Sequence, residues 1–256
     1  MSEIFSLREV SYQYKGGTSA LVNVTLSIQE GESVALLGAN GSGKSTLLMV
    51  MAGLISPTSG EVVAFGEPLS ADYLADECRM QAFRRRVGIV FQSSDAQLFS
   101  PNVREEIAFG PLHLDLPENE VMRRVTETLR LLGLQDLAER APYNLSGGEK
   151  KKVALAATLS TNPEVLMLDE PTSGLDPRTQ HWLVELLGRL HLAGRTLVIA
   201  THRLETLHQF ADRAVVLSED HRVVATGPVE DVLADRNLLV EVNLIHPRSP
   251  AFIPRG

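Results

Sequence analysis

Four short apolar runs punctuate the chain, at residues 34–37, 87–91, 165–168 and 196–200. Each is continuous rather than alternating, which is the pattern of a strand buried on both faces of a parallel sheet. The first 65 residues read differently. Segments 4–10 and 20–28 predict strands, the second carrying a period-two set within Leu21, Val22, Val24, Leu26 and Ile28. Lys15-Gly16-Gly17 turns the chain between them, residues 56–60 form another turn, and 61–65 read as a further strand. Helical spacing follows the first apolar run, where Leu47, Leu48, Val50 and Met51 share a face and Gly53 closes the helix.

Farther along, Asn102 caps a helix running through Ile107. Pro117 precedes an amphipathic helix over 118–132, with Val121, Met122, Val125, Leu129 and Leu132 inward and Gly133 as its stop. Residues 134–139 predict a second short helix and 150–159 a third. Asp176 caps, and Pro177 opens, a helix reaching about Ala193, where Gly194 ends it. Two short strands over 212–226, a helix over 228–234 and a tail over 235–256 complete the chain. Strands alternating with helices imply an α/β core, and the block at about 101–160 reads as a helical subdomain inserted into it. Residues 69–86 hold no clean period, and Arg84-Arg85-Arg86 reads as a solvated basic edge.

Composition narrows the class. The 256 residues, 44% hydrophobic and 22% charged, describe an ordinary soluble globular chain. A net charge of -8 excludes a protein whose main work is coating nucleic acid, while leaving room for local docking on a membrane-embedded partner. No apolar run approaches the ~18 residues of a spanning helix. The first residues lack the basic and apolar regions of a signal peptide. One cysteine, Cys78, allows no internal disulfide and suits a reducing compartment. The expectation is a cytosolic protein.

The first apolar run leads into Gly38-Ala39-Asn40-Gly41-Ser42-Gly43-Lys44-Ser45-Thr46. Strand, glycine loop and helix are the context in which such a loop wraps a phosphate with inward N–H groups, aided by the partial positive charge of the helix start. Lys44 would reach the β and γ phosphates, and the Ser45 hydroxyl would ligate Mg²⁺. Leu145-Ser146-Gly147-Gly148-Glu149 makes a second anion-receptive helix start. The adjoining Lys150-Lys151-Lys152 reads as a solvated helix face. The 165–168 run ends in Asp169-Glu170, two acids where α/β sheets bind ligands. Asp169 would approach Mg²⁺, and Glu170 would polarise an attacking water. Gln92 and His202 each end a buried strand in the same tier. Tyr12 or Tyr14 would stack on a purine.

Together the aromatic loop, GANGSGKST, Gln92, LSGGE, VLMLDE, SGLD and His202 resemble the ATP-binding-cassette (ABC) ATPases over nearly the whole chain. The resemblance implies a P-loop NTPase core with a parallel sheet, an N-terminal antiparallel β subdomain and the inserted helical subdomain, together making an ATPase domain over 1–234. It selects Tyr14 for adenine, places Gln92 in the Mg²⁺ and water shell, and makes Glu170 the catalytic carboxylate, Asp176 the D-loop residue and His202 the switch histidine. ATP and Mg²⁺ are the implied cofactors. In that family the LSGGE of one subunit covers ATP held by another, so a head-to-tail dimer of identical or closely related subunits is implied. Residues 87–99 and 107–111 are similar to the ATPases of energy-coupling-factor importers, and 237–247 to their cobalt and nickel branch. The implied place is the cytoplasmic face of the cell membrane, peripheral, on a coupling subunit contacted through 93–109 with Leu98 and Phe99, and indirectly on a substrate-binding membrane subunit. A second reading is a soluble ATPase of the same family acting on nucleic acid or ribosomes. Such proteins add a second cassette or a long coiled coil, whereas this chain shows one P-loop and one LSGGE. The polar 70–83 segment departs from the importer pattern.

Overall fold

The computed structural model describes residues 2–248, so part of the 235–256 tail lies outside the described residues. In chain order the elements begin with β1 (Glu3–Gln13), β2 (Ser19–Gln29), β3 (Ser33–Leu37), α1 (Lys44–Met51), β4 (Ser59–Ala64) and β5 (Glu67–Pro68). They continue with α2 (Ala71–Ala75), α3 (Glu77–Arg86), β6 (Val87–Val90), α4 (Val103–His113), α5 (Glu118–Leu132), α6 (Gly147–Leu159) and β7 (Val165–Asp169). The last are α7 (Pro177–Leu192), β8 (Thr196–Thr201), β9 (Arg213–Leu217), β10 (Val223–Pro228), α8 (Val229–Ala234) and α9 (Arg236–Glu241).

The continuous apolar runs become strands of one six-stranded sheet, ordered β10-β9-β3-β8-β7-β6. All its pairings are parallel except the β10–β9 edge. Both faces are covered, which is why these strands show no polar alternation. Along β3, Ala35 and Leu37 enter one core while Val34 and Leu36 enter the other. The same division separates Leu166 and Leu168 from Val165 and Met167 on β7. One core lies under α4, α5, α6 and α7; the other holds α1 between this sheet and an antiparallel sheet ordered β2-β1-β4-β5. The fold is that of a P-loop NTPase.

Several elements differ from the sequence reading. Residues 69–86 form two helices, α2 capped by Ser70 and α3 by Asp76. The arginines that end α3 are not simply solvated. Arg85 donates to the Leu114 carbonyl at 2.7 Å. Arg86 binds Glu164 through two bonds of 2.8 and 2.7 Å and lies 3.5 Å from the Phe65 ring centroid. Helix α4 continues past Ile107 to His113, absorbing Pro111 without a break. On α5 the inward stripe is Val121, Val125, Thr128, Leu129 and Leu132, and Met122 turns outward at 47% exposure. Between 134 and 139 only a tight 3₁₀ turn forms, over Gln135–Leu137.

The three inserted helices pack on one another: α6 carries Val153, Ala154, Leu155 and Ala156 into the same core as Val103, Ile107, Val125 and Leu129. Helix α9 packs there too, with Leu239 fully buried and Val242 beside it. Leu239→Ala is therefore expected to cost about 2–5 kcal/mol, read as a lowered midpoint in chemical denaturation. A shift below about 0.5 kcal/mol would mean that α9 only rests on the surface.

Candidate active site

Parallel register brings the ends of three strands side by side. Leu37 of β3 pairs with Thr201 of β8, and Ala200 pairs with Asp169 of β7. The P-loop leaves the first, His202 follows the second and Glu170 follows the third, so residues far apart in sequence meet at one carboxyl edge.

The loop after β3 is shaped by its glycines. Gly43 has φ +104°, and a Cβ there would lie 2.1 Å from the Ala20 carbonyl oxygen. At Gly38 a Cβ would lie 2.4 Å from Ser42 Oγ and 2.6 Å from the Leu217 carbonyl oxygen. Close backbone approach therefore requires glycine at both positions. Helix α1 starts at Lys44 with Gly43 as its cap, so its first N–H groups have no intrahelical acceptor.

Lys44 is 5% exposed and donates through Nζ to the Gly38 and Ala39 carbonyls at 2.7 and 2.9 Å. The same nitrogen lies 4.0 Å from Glu170 Oε1. Burial pushes its pKa down, and the charges of Glu170 and Asp169 oppose that. Asp169 moves the other way: burial raises its carboxyl most, against a hydrogen bond from Ser45. Asp169 Oδ1 is buried without a hydrogen-bond partner among the described residues. An orphaned carboxylate oxygen beside a serine hydroxyl is a donor set that fits a hard cation such as Mg²⁺. Glu170, at φ +41°, is held by His202 Nδ1 at 2.7 Å on Oε1 and by Thr201 Oγ1 at 3.3 Å on Oε2.

A cavity of about 450 Å³ is lined by Tyr14, Asn40, Gly41, Gly43, Lys44, Ser45, Thr46, Gln92 and Glu170. Tyr14, rather than Tyr12, reaches it, with its hydroxyl 3.0 Å from Thr46 Oγ1. Tyr12 packs against the second core and meets the Tyr14 ring edge-on at 5.0 Å. A neighbouring cavity of about 510 Å³ is lined by Ser45, Gln92, Ser93 and Asp169, so Ser45 and Gln92 stand between the two spaces. A further cavity, about 790 Å³, is elsewhere, in the groove between α3 and α4.

The structure does not bring Leu145, Ser146, Gly147, Gly148, Glu149 or Asp176 to these cavities. Ser146 is exposed and caps α6 in a capping box, accepting from Glu149 N at 3.3 Å while Glu149 Oε2 accepts from Ser146 N at 2.8 Å. The Ser146 bonds hold the Glu149 carboxyl below its usual range. Asp176 is also exposed and caps α7, accepting from Arg178 N, Thr179 N and Thr179 Oγ1. The Thr179 bonds lower its pKa.

Two residues were missed in the sequence. Lys151 is 4% exposed, correcting the solvated-face reading of Lys150-Lys151-Lys152. Its neighbours also have partners: Lys150 pairs with Asp95 at 2.6 Å, and Lys152 sits 4.4 Å from the Trp182 ring centroid. His221 lines the 450 Å³ cavity from the β9–β10 turn at φ +62°, with Nδ1 buried and unpartnered among the described residues. Nothing in a short polar turn signals the place of His221.

Residues 21–173 match the family model described as ABC transporter. The chain is 47% identical over 248 residues to the nickel import ATP-binding protein of Rhodobacter capsulatus, covering 96% of this chain and 97% of that one. It is 44% identical over 252 residues to an energy-coupling factor transporter ATP-binding protein of Methanothermobacter thermautotrophicus, covering 98% and 79%. Among solved structures it is similar to cbiO1 of Clostridium perfringens, described as part of the ABC transporter complex cbiONQ, with a TM-score of 0.80, 36% identity and 97% of each chain covered.

Removing the Lys44 ammonium would leave incoming phosphates without a charged donor worth about 1.5–3 kcal/mol. Lys44→Ala is expected to weaken binding of a fluorescent ATP analogue about tenfold or more and to abolish hydrolysis. Affinity within about twofold of the parent would remove Lys44 from the site.

Proposed function

The chain belongs to the ABC transporter family, and we propose that it is the ATP-hydrolysing subunit of an energy-coupling-factor importer for cobalt, nickel or a vitamin. The observation carrying the mechanism is the convergence of Lys44, Ser45, Asp169 and Glu170 at one strand edge, with an unsatisfied Asp169 oxygen beside Ser45. The relatives' names, for nickel import and for energy-coupling factor transport, support the transport class.

In this reading the adenine stacks on Tyr14, and the phosphates lie along the loop from Gly38 to Thr46. Lys44 exchanges the carbonyls of Gly38 and Ala39 for β- and γ-phosphate oxygens. Ser45, Asp169 and Gln92 would hold Mg²⁺, which would neutralise phosphate charge. Glu170 orients a water against the γ-phosphorus and takes its proton as the bond to ADP breaks, and His202 holds the Glu170 carboxylate in place. The exposed LSGGE helix start lines neither cavity of its own chain, and in this reading it serves the nucleotide of a second subunit, head to tail, as does Asp176. Phosphate charge is then met by donors from two sides, and closure on ATP drives transport.

No helix of the described residues is long and apolar enough to cross a membrane. In this reading the subunit sits peripherally on the cytoplasmic face, docked on a membrane-embedded coupling subunit. Residues 93–109 supply that surface, with one adjustment to the sequence reading. Leu98 packs against the core, whereas Phe99 is 65% exposed and pairs edge-on with half-exposed Phe109 at 4.7 Å. Phe109 also lines the groove between α3 and α4, together with Leu74, Met80 and Leu114. The net charge of -8 weighs against the alternative of an ATPase acting on nucleic acid.

Glu170→Gln is expected to retain ATP binding, to hydrolyse about 100-fold more slowly or worse, and to run as an ATP-dependent dimer by size-exclusion light scattering. Near-parental turnover would exclude Glu170 as the catalytic carboxylate. For docking, Phe99→Ser should cut co-purification with the coupling subunit about tenfold while the melting temperature holds. Full co-purification would move the contact elsewhere.

A further inference from the structure

Of three consecutive lysines on α6, only Lys151 is buried. Its Nζ donates to the main-chain oxygen of Phe91 at 3.1 Å and to that of Gln92 at 2.8 Å. Those carbonyls lie just past the end of β6, an edge strand whose hydrogen-bonded partner is β7 alone. Burial pushes the Lys151 pKa down, and the charge of Asp169 opposes that. A buried ammonium is costly, and an apolar residue would fill the same space more cheaply. What the ammonium supplies instead is several donors on a long stem, aimed at the two peptides that carry Gln92.

We propose that Lys151 is a positioning residue for ATP hydrolysis, clamping the main chain at Phe91 and Gln92 so that the Gln92 side chain stays in the cavity it shares with Ser45 and Asp169. The inference rests on the reading that Gln92 belongs to the Mg²⁺ and water shell. It also gives α6 a mechanical role. Ser146 caps the helix and Lys151 lies five residues on, about 7.5 Å along the axis at 1.5 Å per residue. A displacement at the exposed end of α6 is delivered to Gln92 through a stiff element and two hydrogen bonds, not through a loop.

The test compares steady-state hydrolysis by the parent, Lys151→Met, Lys151→Arg, Gln92→Ala and the Lys151→Met/Gln92→Ala double variant. Binding of a non-hydrolysable ATP analogue and thermal melting serve as folding controls. Lys151→Met is expected to lower kcat about tenfold while KM for ATP stays within about threefold, and to raise the Mg²⁺ concentration needed for half-maximal rate. Lys151→Arg should recover most of kcat, because a guanidinium keeps charged donors. The double variant should be no slower than Gln92→Ala, because the two changes disable one device. The proposal is overturned if Lys151→Met keeps kcat within about twofold, if rate, analogue binding and melting fall together in both lysine variants, or if the two single effects multiply. Unchanged kcat in Gln92→Ala would instead overturn the underlying reading of Gln92, whatever Lys151→Met does.

Discussion

Four charges are buried where β3 and β7 end, and the site depends on their balance. Lys44 and Lys151 supply two positive groups, and Asp169 and Glu170 two negative ones; none exceeds 6% exposure. Burial disfavours each charge alone, which is why it lowers both lysines and raises Asp169. The set is tolerable because each lysine also finds two main-chain carbonyls, and Lys44 is drawn to both acids and Lys151 to Asp169. Removing one member would leave another uncompensated. A triphosphate entering with its cation would add negative and positive charge together, close to where the chain already holds both. Little would then need to rearrange for the nucleotide to be received.

Such charges can be held there because the sheet beneath them is buried on both faces. β3, β7 and β8 send alternate residues into two separate cores, so none of these strands can slip without moving apolar groups out of place. Fixed register fixes the strand ends. Leu37 against Thr201, and Asp169 against Ala200, set the P-loop, the two acids and His202 to their mutual positions. Asp169 closes β7 and Glu170 leaves the strand at φ +41°, a backbone bend that carries its carboxylate toward Lys44 and His202.

The motifs were legible in the sequence because each rests on spacing within a single segment. The glycine loop with its lysine, the paired acids after an apolar run, and the LSGGE helix start each announce themselves over a few residues. The 69–86 region did not. Its helices are short, and only Tyr73, Met80 and Phe83 are buried on them, too few positions to show a period. Met122 lies one position from Val121, at the margin of the α5 stripe, where a few degrees decide between core and solvent. Lys151 was read outward because a lysine beside two others is usually solvated. Its acceptors are main-chain oxygens some sixty residues earlier, which leave no trace in local composition. Arg86 has the same cause, since Glu164 lies 78 residues on.

The arrangement also separates two kinds of residue that the sequence presents in one list. Those around the P-loop face a cavity of their own chain, whereas Ser146 and Asp176 sit exposed at the starts of α6 and α7. A single copy thus offers donors to one side of a phosphate and keeps a second set of helix starts turned away from it. A triphosphate needs donors on more than one side to disperse the charge that develops as the γ-phosphoryl group transfers. Two copies with opposed orientation meet that need without new chemistry. In the proposed dimer helix α6 would have a place in both sites: its start would face the partner's nucleotide, while its buried lysine binds the main chain at Phe91 and Gln92 of its own. A signal between the two sites would need no continuous path of side chains, because a rigid helix displaced at one end moves at the other.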